Sequence, residues 1–182
     1  MQQTKAGAEK RGGHQIEMTI KGLMVDPVTN TPIVILRDKG GLRVLPIWVG
    51  LFEANAIALQ IENLSTPRPM THDLLRNVIH DLDATVQKIV VSDLQDNTFY
   101  ALIYIDVKGA TVAVDSRPSD AIALALRTRA PIYVEDEVIE RAKTVDFSSS
   151  KPVDVSSDPA DAERLQKWLE TLDPDDLGKY KM

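Results

Sequence analysis

Between Ile16 and Phe147, short apolar runs alternate with turn residues, a pattern that predicts strands joined by tight connections. Met18 to Val25, Pro32 to Arg37 and Leu42 to Val49 are three such runs, with Pro27 to Asn30 and Asp38 to Gly41 as the turns between them. The period then lengthens. Leu51, Ala54, Ala58 and Ile61 fall on one face of a helix predicted over Leu51 to Glu62, with Gly50 as its cap. A second helix is predicted over Thr71 to Leu82. Thr71 caps it, Asp73 favours its first turn, and Leu74, Leu75, Val78, Ile79 and Leu82 form a buried stripe. Val86 to Ser92, Phe99 to Asp106 and Ala110 to Val114 read as three more strands, turning at Asp93 to Asn97 and Val107 to Gly109. Pro118 to Arg127 is a third long helix; a strand at Pro131 to Val134 and a short helix at Asp136 to Lys143 close the series.

The second half repeats the order of the first. Under one constant offset, Lys21 falls on Lys88, Asp26 on Asp93 and Asn30 on Asn97; under an offset two residues shorter, Ala56 to Leu59 matches Ala121 to Leu124. The expected architecture is therefore α+β, built from duplicated β-β-β-α units with a mostly antiparallel sheet and helices packed on it. The alanine-rich helices can pack within one subunit or between two, and a homo-oligomer, a dimer first, is expected. Four regions follow: a disordered tail over 1–15, a folded domain over 16–147, a Ser/Asp/Pro linker over 148–161, and a C-terminal helix and tail over 162–182. In the last of these, Ala162, Leu165, Trp168, Leu169 and Leu172 recur at helical spacing, and Trp168 is expected to dock.

Charge changes this picture most. The chain has 182 residues and a net charge of −6, and 26% of its residues are charged. Residues 16–147 carry 13 lysines and arginines against 18 acids, a net −5. Such a domain lacks the basic stripe of a stable, non-specific nucleic-acid binder, although brief contact with a nucleic-acid substrate remains open. No apolar run approaches the roughly 20 residues that cross a bilayer, so no membrane association is expected. The chain has no cysteine, so disulfides, thiolate metal sites and cysteine nucleophiles are excluded. With a polar N-terminus, a cytoplasmic protein is expected.

Three segments are longer and more distinctive than the rest: LPIWVGLFEANAIAL at Leu45 to Leu59, TPRPMTHDLL at Thr66 to Leu75, and VDSRPSDAIALALRTRAPIYV at Val114 to Val134. Together with the strands between them they resemble the bifunctional nuclease domain family, over about Ile16 to Phe147. The resemblance implies cleavage of both DNA and RNA, and supplies no catalytic residues.

Candidate chemistry comes from two corners where the chain enters a helix. In Arg68-Pro69-Met70-Thr71-His72-Asp73, free backbone N–H groups at the helix start and the Arg68 guanidinium suit a phosphate. There His72 fits a general base or metal ligand, and Asp73 a metal ligand or catalytic acid. In Asp115-Ser116-Arg117-Pro118-Ser119-Asp120, Arg117 and Ser119 suit a phosphate, Asp115 and Asp120 a divalent ion, and Asp120 is also a candidate catalytic residue. Glu53 is the equivalent acid of the first unit. A metal-assisted phosphodiesterase using Mg2+ or Mn2+ needs two or three of these carboxylates to converge. The same residues also suit plain helix capping and ion pairing, with His80 as an ordinary surface group. Tyr100 and Tyr104 suit either base stacking or a half-buried strand. The competing function is a non-catalytic oligomeric scaffold that binds a small anionic ligand or a protein partner.

Overall fold

A computed structural model of the chain describes residues 13–27 and 29–144. The expected linker and C-terminal helix lie outside them, as does most of the expected N-terminal tail. Seven strands are described: β1 (Gln15–Val25), β2 (Pro32–Asp38), β3 (Val44–Trp48), β4 (Ala84–Gln95), β5 (Thr98–Val107), β6 (Ala110–Ser116) and β7 (Ile132–Glu135). The four described helices are α1 (Leu51–Ile61), α2 (Thr71–Asp81), α3 (Pro118–Thr128) and α4 (Asp136–Thr144). None of them is long and apolar enough to cross a membrane.

The strands form one sheet in the order β3-β2-β1-β7-β4-β5-β6. Every pairing is antiparallel except β4 with β7, so the class is α+β. Two hairpins show why the chain turns where it does. Asp96 and Asn97 both have positive φ, as do Lys108 and Gly109. A two-residue turn of this kind matches the right-handed twist of its strands, and Asn and Gly tolerate it best. Each half is a three-stranded meander leading to a helix, but the halves are not equivalent. Strand β7 meets β1 antiparallel and β4 parallel, and this topology does not establish a duplication.

Several boundaries differ from expectation, and β4 runs over Ala84–Gln95, three residues into the expected turn. Strand β1 begins at Gln15, inside the expected tail, because Gln15 to Met18 pair with Ile132 to Glu135. Leu42 drops out of β3 and is 91% exposed, since the Asp38 carboxylate accepts from the Arg43 N–H and closes the loop around it.

The core lies between the sheet and the helices. Ala54 to Leu59 in α1 and Ala121 to Ala125 in α3 are buried, and the two helices pack on each other within the chain. Small side chains allow that close approach. Leu51 and Ile61, expected on the buried face of α1, are instead exposed at its two ends.

Helix α2 departs furthest from its pattern. Of the predicted stripe only Ile79 is buried; Leu74, Leu75, Val78 and Leu82 are exposed. Its anchor is polar. Arg127 of α3, whose side chain is 1% exposed, donates from Nε to Asp73 Oδ1 at 2.7 Å. Its Nη1 donates to Ala56 O at 3.0 Å and to Ala123 O at 2.9 Å. One guanidinium thus joins α1, α2 and α3. Burial pushes the Asp73 carboxyl upward, but the Arg127 hydrogen bond, the Met70 N–H and the Arg127 charge together hold it below its usual range.

Arg127→Met is expected to lower the unfolding free energy by about 3–5 kcal/mol, the usual cost of removing one partner from a buried ion pair. Because the folded-state pKa of Asp73 is depressed, its contribution is complete above the ordinary aspartate value near 4 and is lost as pH falls through the folded value. The stability gap between wild type and Asp73→Asn, measured by urea denaturation, should therefore be widest near neutral pH and narrow in acid. A gap that stays constant into strong acid would contradict this role.

Candidate functional site

The helices α1, α2 and α3 start in the same unusual way. Their N-cap residues are Gly50, Met70 and Arg117, none of which caps with a side-chain oxygen. Thr71, expected as a cap, is the first residue of α2, and Pro118 opens α3, where its missing N–H costs nothing. Each helix carries an acid at its third position: Glu53, Asp73 and Asp120. There a carboxylate is favoured by the positive end of the helix dipole.

These three acids have different partners. Asp73 turns back on its own helix start, with Oδ2 accepting from Met70 N–H at 3.0 Å while Oδ1 binds Arg127. Asp120 faces the neighbouring helix instead. Its Oδ1 lies 3.1 Å from His72 Nε2, and its Oδ2 accepts from Arg117 Nε at 2.8 Å. Arg117 Nη2 then reaches Glu53 Oε1 at 2.9 Å. The result is a chain of four side chains, His72–Asp120–Arg117–Glu53, drawn from the first turns of three helices. His72 and Glu53 are mostly enclosed, at 12% and 18% side-chain exposure, while Arg117 is open at 67%. Burial pushes the Asp120 carboxyl upward, but hydrogen bonds from Arg117 and His72 outweigh it and hold the group ionised below the usual range. The Glu53 carboxylate packs against Gly50, where an added Cβ would displace it.

The cluster can orient an imidazole and present a guanidinium to an anion. If His72 donates Nε2–H to Asp120, Nδ1 carries the free lone pair and is the proton acceptor. Arg117 keeps an exposed face for a phosphate oxygen.

The other predicted residues fall elsewhere. Asp115 sits exposed on β6, opposite Leu102 of β5. Ser119 is buried in the first turn of α3. Arg68 lies exposed in the loop before α2, and its guanidinium makes no ion pair among the described residues. His80 is 87% exposed beside Asp81, on the surface as expected. Tyr100 is 39% exposed, whereas Tyr104 is half-buried and has Lys88 Nζ 4.9 Å above its ring. Asp73, Asp115 and Asp120 are not gathered into one ligand set. Among the described residues no three His, Asp or Glu side chains are placed to hold a metal ion, and Arg117 stands between Glu53 and Asp120 where a cation would have to sit. The buried side-chain oxygens without a hydrogen bond among the described residues are Asn55 Oδ1, Ser116 Oγ and Asp136 Oδ1, one amide, one hydroxyl and one carboxylate, and none belongs to Glu53, Asp73, Asp115 or Asp120. The arrangement does not fit Mg2+ or Mn2+ as it stands.

Arg127 is the residue that sequence reasoning missed. Its signal was present: a lone charge within an apolar stretch of α3, ending the run Ala121 to Leu126.

Comparison with known proteins bears on the whole domain. The chain is 37% identical over 162 residues to an uncharacterized protein of Mycobacterium tuberculosis, a match spanning 88% of this chain and 97% of the relative. It is 26% identical over 147 residues to bifunctional nuclease 1 of Oryza sativa subsp. indica, covering 78% of this chain and 44% of the plant protein. It is 26% identical over 108 residues to bifunctional nuclease 2 of Arabidopsis thaliana, covering 58% of this chain and 33% of that protein. The bifunctional nuclease domain profile matches residues 34–146, which contain α1, α2, α3 and all four residues of the cluster, and the chain belongs to the bifunctional nuclease domain family.

Proposed function

We propose that this protein is a nuclease that hydrolyses phosphodiester bonds in DNA and RNA, with its reaction centre at His72, Asp120, Arg117 and Glu53. One observation carries the reading: a histidine–carboxylate pair and an exposed arginine meet where the first turns of three helices come together. Free N–H groups and dipole ends there suit a phosphate, and Arg117 and Arg68 add positive charge. Asp120 holds the imidazole in one orientation. Nδ1 of His72 takes a proton from water as the water oxygen bonds to phosphorus; the bond from phosphorus to the leaving sugar oxygen breaks, and that oxygen takes up a proton from His72 or solvent. Glu53 holds Arg117 in place. The acidic balance of residues 16–147 favours a second reading, in which the same cluster binds a small anion without catalysis.

We also propose that the domain works as a homodimer joined at β6. This strand is at one edge of the sheet, and Val112 and Val114, although on the same face as buried Ile103, are 46% and 41% exposed. Two copies of β6 paired antiparallel about Ala113 would set Val112 against Val114 and Thr111 against Asp115, with no like charges opposed. An unprotected edge favours such pairing.

Purified protein should cleave labelled single-stranded DNA or RNA. His72→Ala should lose roughly 10²–10⁴-fold in rate, the range expected for a general base. His80→Ala, exposed at the other end of the same helix, should keep full activity. Equal cleavage by the wild type and His72→Ala would reject this centre, and no cleavage by folded protein would favour the binding reading. Light scattering after size exclusion should give a dimer for the wild type and a monomer for Val112→Lys; a monomeric wild type would reject the β6 interface.

A further inference from the structure

A cavity of about 270 Å³ lies on the other side of the α2 N-terminus from the His72 cluster. Its apolar walls come from Leu59, Leu64, Pro67 and Pro69, and its polar groups include Ser65, Asp73, Arg76 and Arg127. We propose that this cavity holds a single nucleotide, its base against the proline and leucine walls and its phosphate at Arg76 and the inner edge of Arg127.

Arg127 makes the strongest case. Its side chain is almost fully buried, and its Nε and Nη1 are satisfied by Asp73, Ala56 and Ala123. Nη2 has no hydrogen-bond acceptor among the described residues, although the residue lines the cavity. Nη2 is not among the fully enclosed unpartnered atoms, so it keeps some contact with the cavity, where a phosphate oxygen can accept from it. Asp73 does not oppose this. Both of its oxygens are engaged, one by Arg127 and one by the Met70 N–H, and Arg76 leaves the polar wall with a net positive charge.

Size and position narrow the ligand. The volume lies just under the roughly 300–1,000 Å³ of typical small-molecule sites, which favours a ligand no larger than one nucleotide. Flat apolar walls accept the face of a base. His72 and Asp73 are consecutive in the first turn of α2; the first reaches Asp120 and the second lines the cavity. A strand with its scissile phosphate at His72 can therefore place a neighbouring nucleotide in the cavity. That nucleotide must be unpaired and unstacked, so single strands are the favoured substrate. This role as a substrate subsite rests on the nuclease reading; binding of a nucleotide does not.

The test is titration of the full chain with adenosine monophosphate, thymidine monophosphate and inorganic phosphate, followed by calorimetry and amide chemical shifts. Both nucleotides should bind and shift resonances of 59–76, with phosphate alone weaker. Arg76→Ala, which alters an exposed rim residue, and Ser65→Tyr, which fills the cavity, should each weaken nucleotide binding about tenfold or more. His72→Ala should bind nucleotide as the wild type does, even with cleavage lost. Absence of binding at millimolar nucleotide would overturn the proposal. So would equal affinity in the wild type and both cavity variants, or binding that vanishes with His72→Ala, which would put the ligand at the reaction centre. Binding that follows the cavity variants in a protein that cleaves nothing would uphold the nucleotide site and reject only the nuclease reading.

Discussion

The helical layer is held by one buried guanidinium. Arg127 hydrogen-bonds to the backbone of α1 and α3 and pairs with Asp73 of α2, so three helices share a single cation. It can reach all three only because the facing residues of α1 and α3 are alanines that let the helices approach closely. A charge buried this deeply is costly unless every nearby acceptor is well placed. That requirement fixes the register of α2 against α3 more sharply than a greasy stripe would, because apolar contacts lack direction.

This polar anchor accounts for the surface of α2. With Asp73 carrying the attachment, Leu74, Leu75, Val78 and Leu82 are not drawn into the core and remain exposed. The anchor also sets where His72 sits. Consecutive residues of a helix point about 100° apart, so fixing Asp73 toward Arg127 turns His72 toward Asp120. One of the acids read as a candidate ligand in the sequence thus serves the scaffold, and its neighbour His72 is left to face Asp120 of α3. The same turn of α2 separates the His72 cluster from the cavity, so one anchoring pair positions both.

Charge distribution inside the cluster follows from the helix starts. Three acids at equivalent positions would repel one another if they converged unneutralised. The fold sends one to Arg127 and leaves the other two bridged by Arg117. An arginine between Glu53 and Asp120 takes the place that a divalent ion would need there, while Asp73 is drawn to Arg127 and Asp115 lies exposed on β6.

The sequence by itself determined the elements and their order. Alternating apolar runs, the Asn- and Gly-bearing hairpin turns and the alanine-rich helix pattern gave an α+β domain whose strands and helices lie within a few residues of expectation, because these signals are local. It also marked the helix starts at which Glu53, His72, Arg117 and Asp120 sit. Only the tertiary structure decided which of those groups meet. Asp73 and Asp120 occupy the same helical position and share the same local sequence logic, so no local pattern distinguishes the structural acid from the one beside His72. The choice depends on Arg127, which is 54 residues from Asp73 along the chain and reaches it only after α1 and α3 have packed.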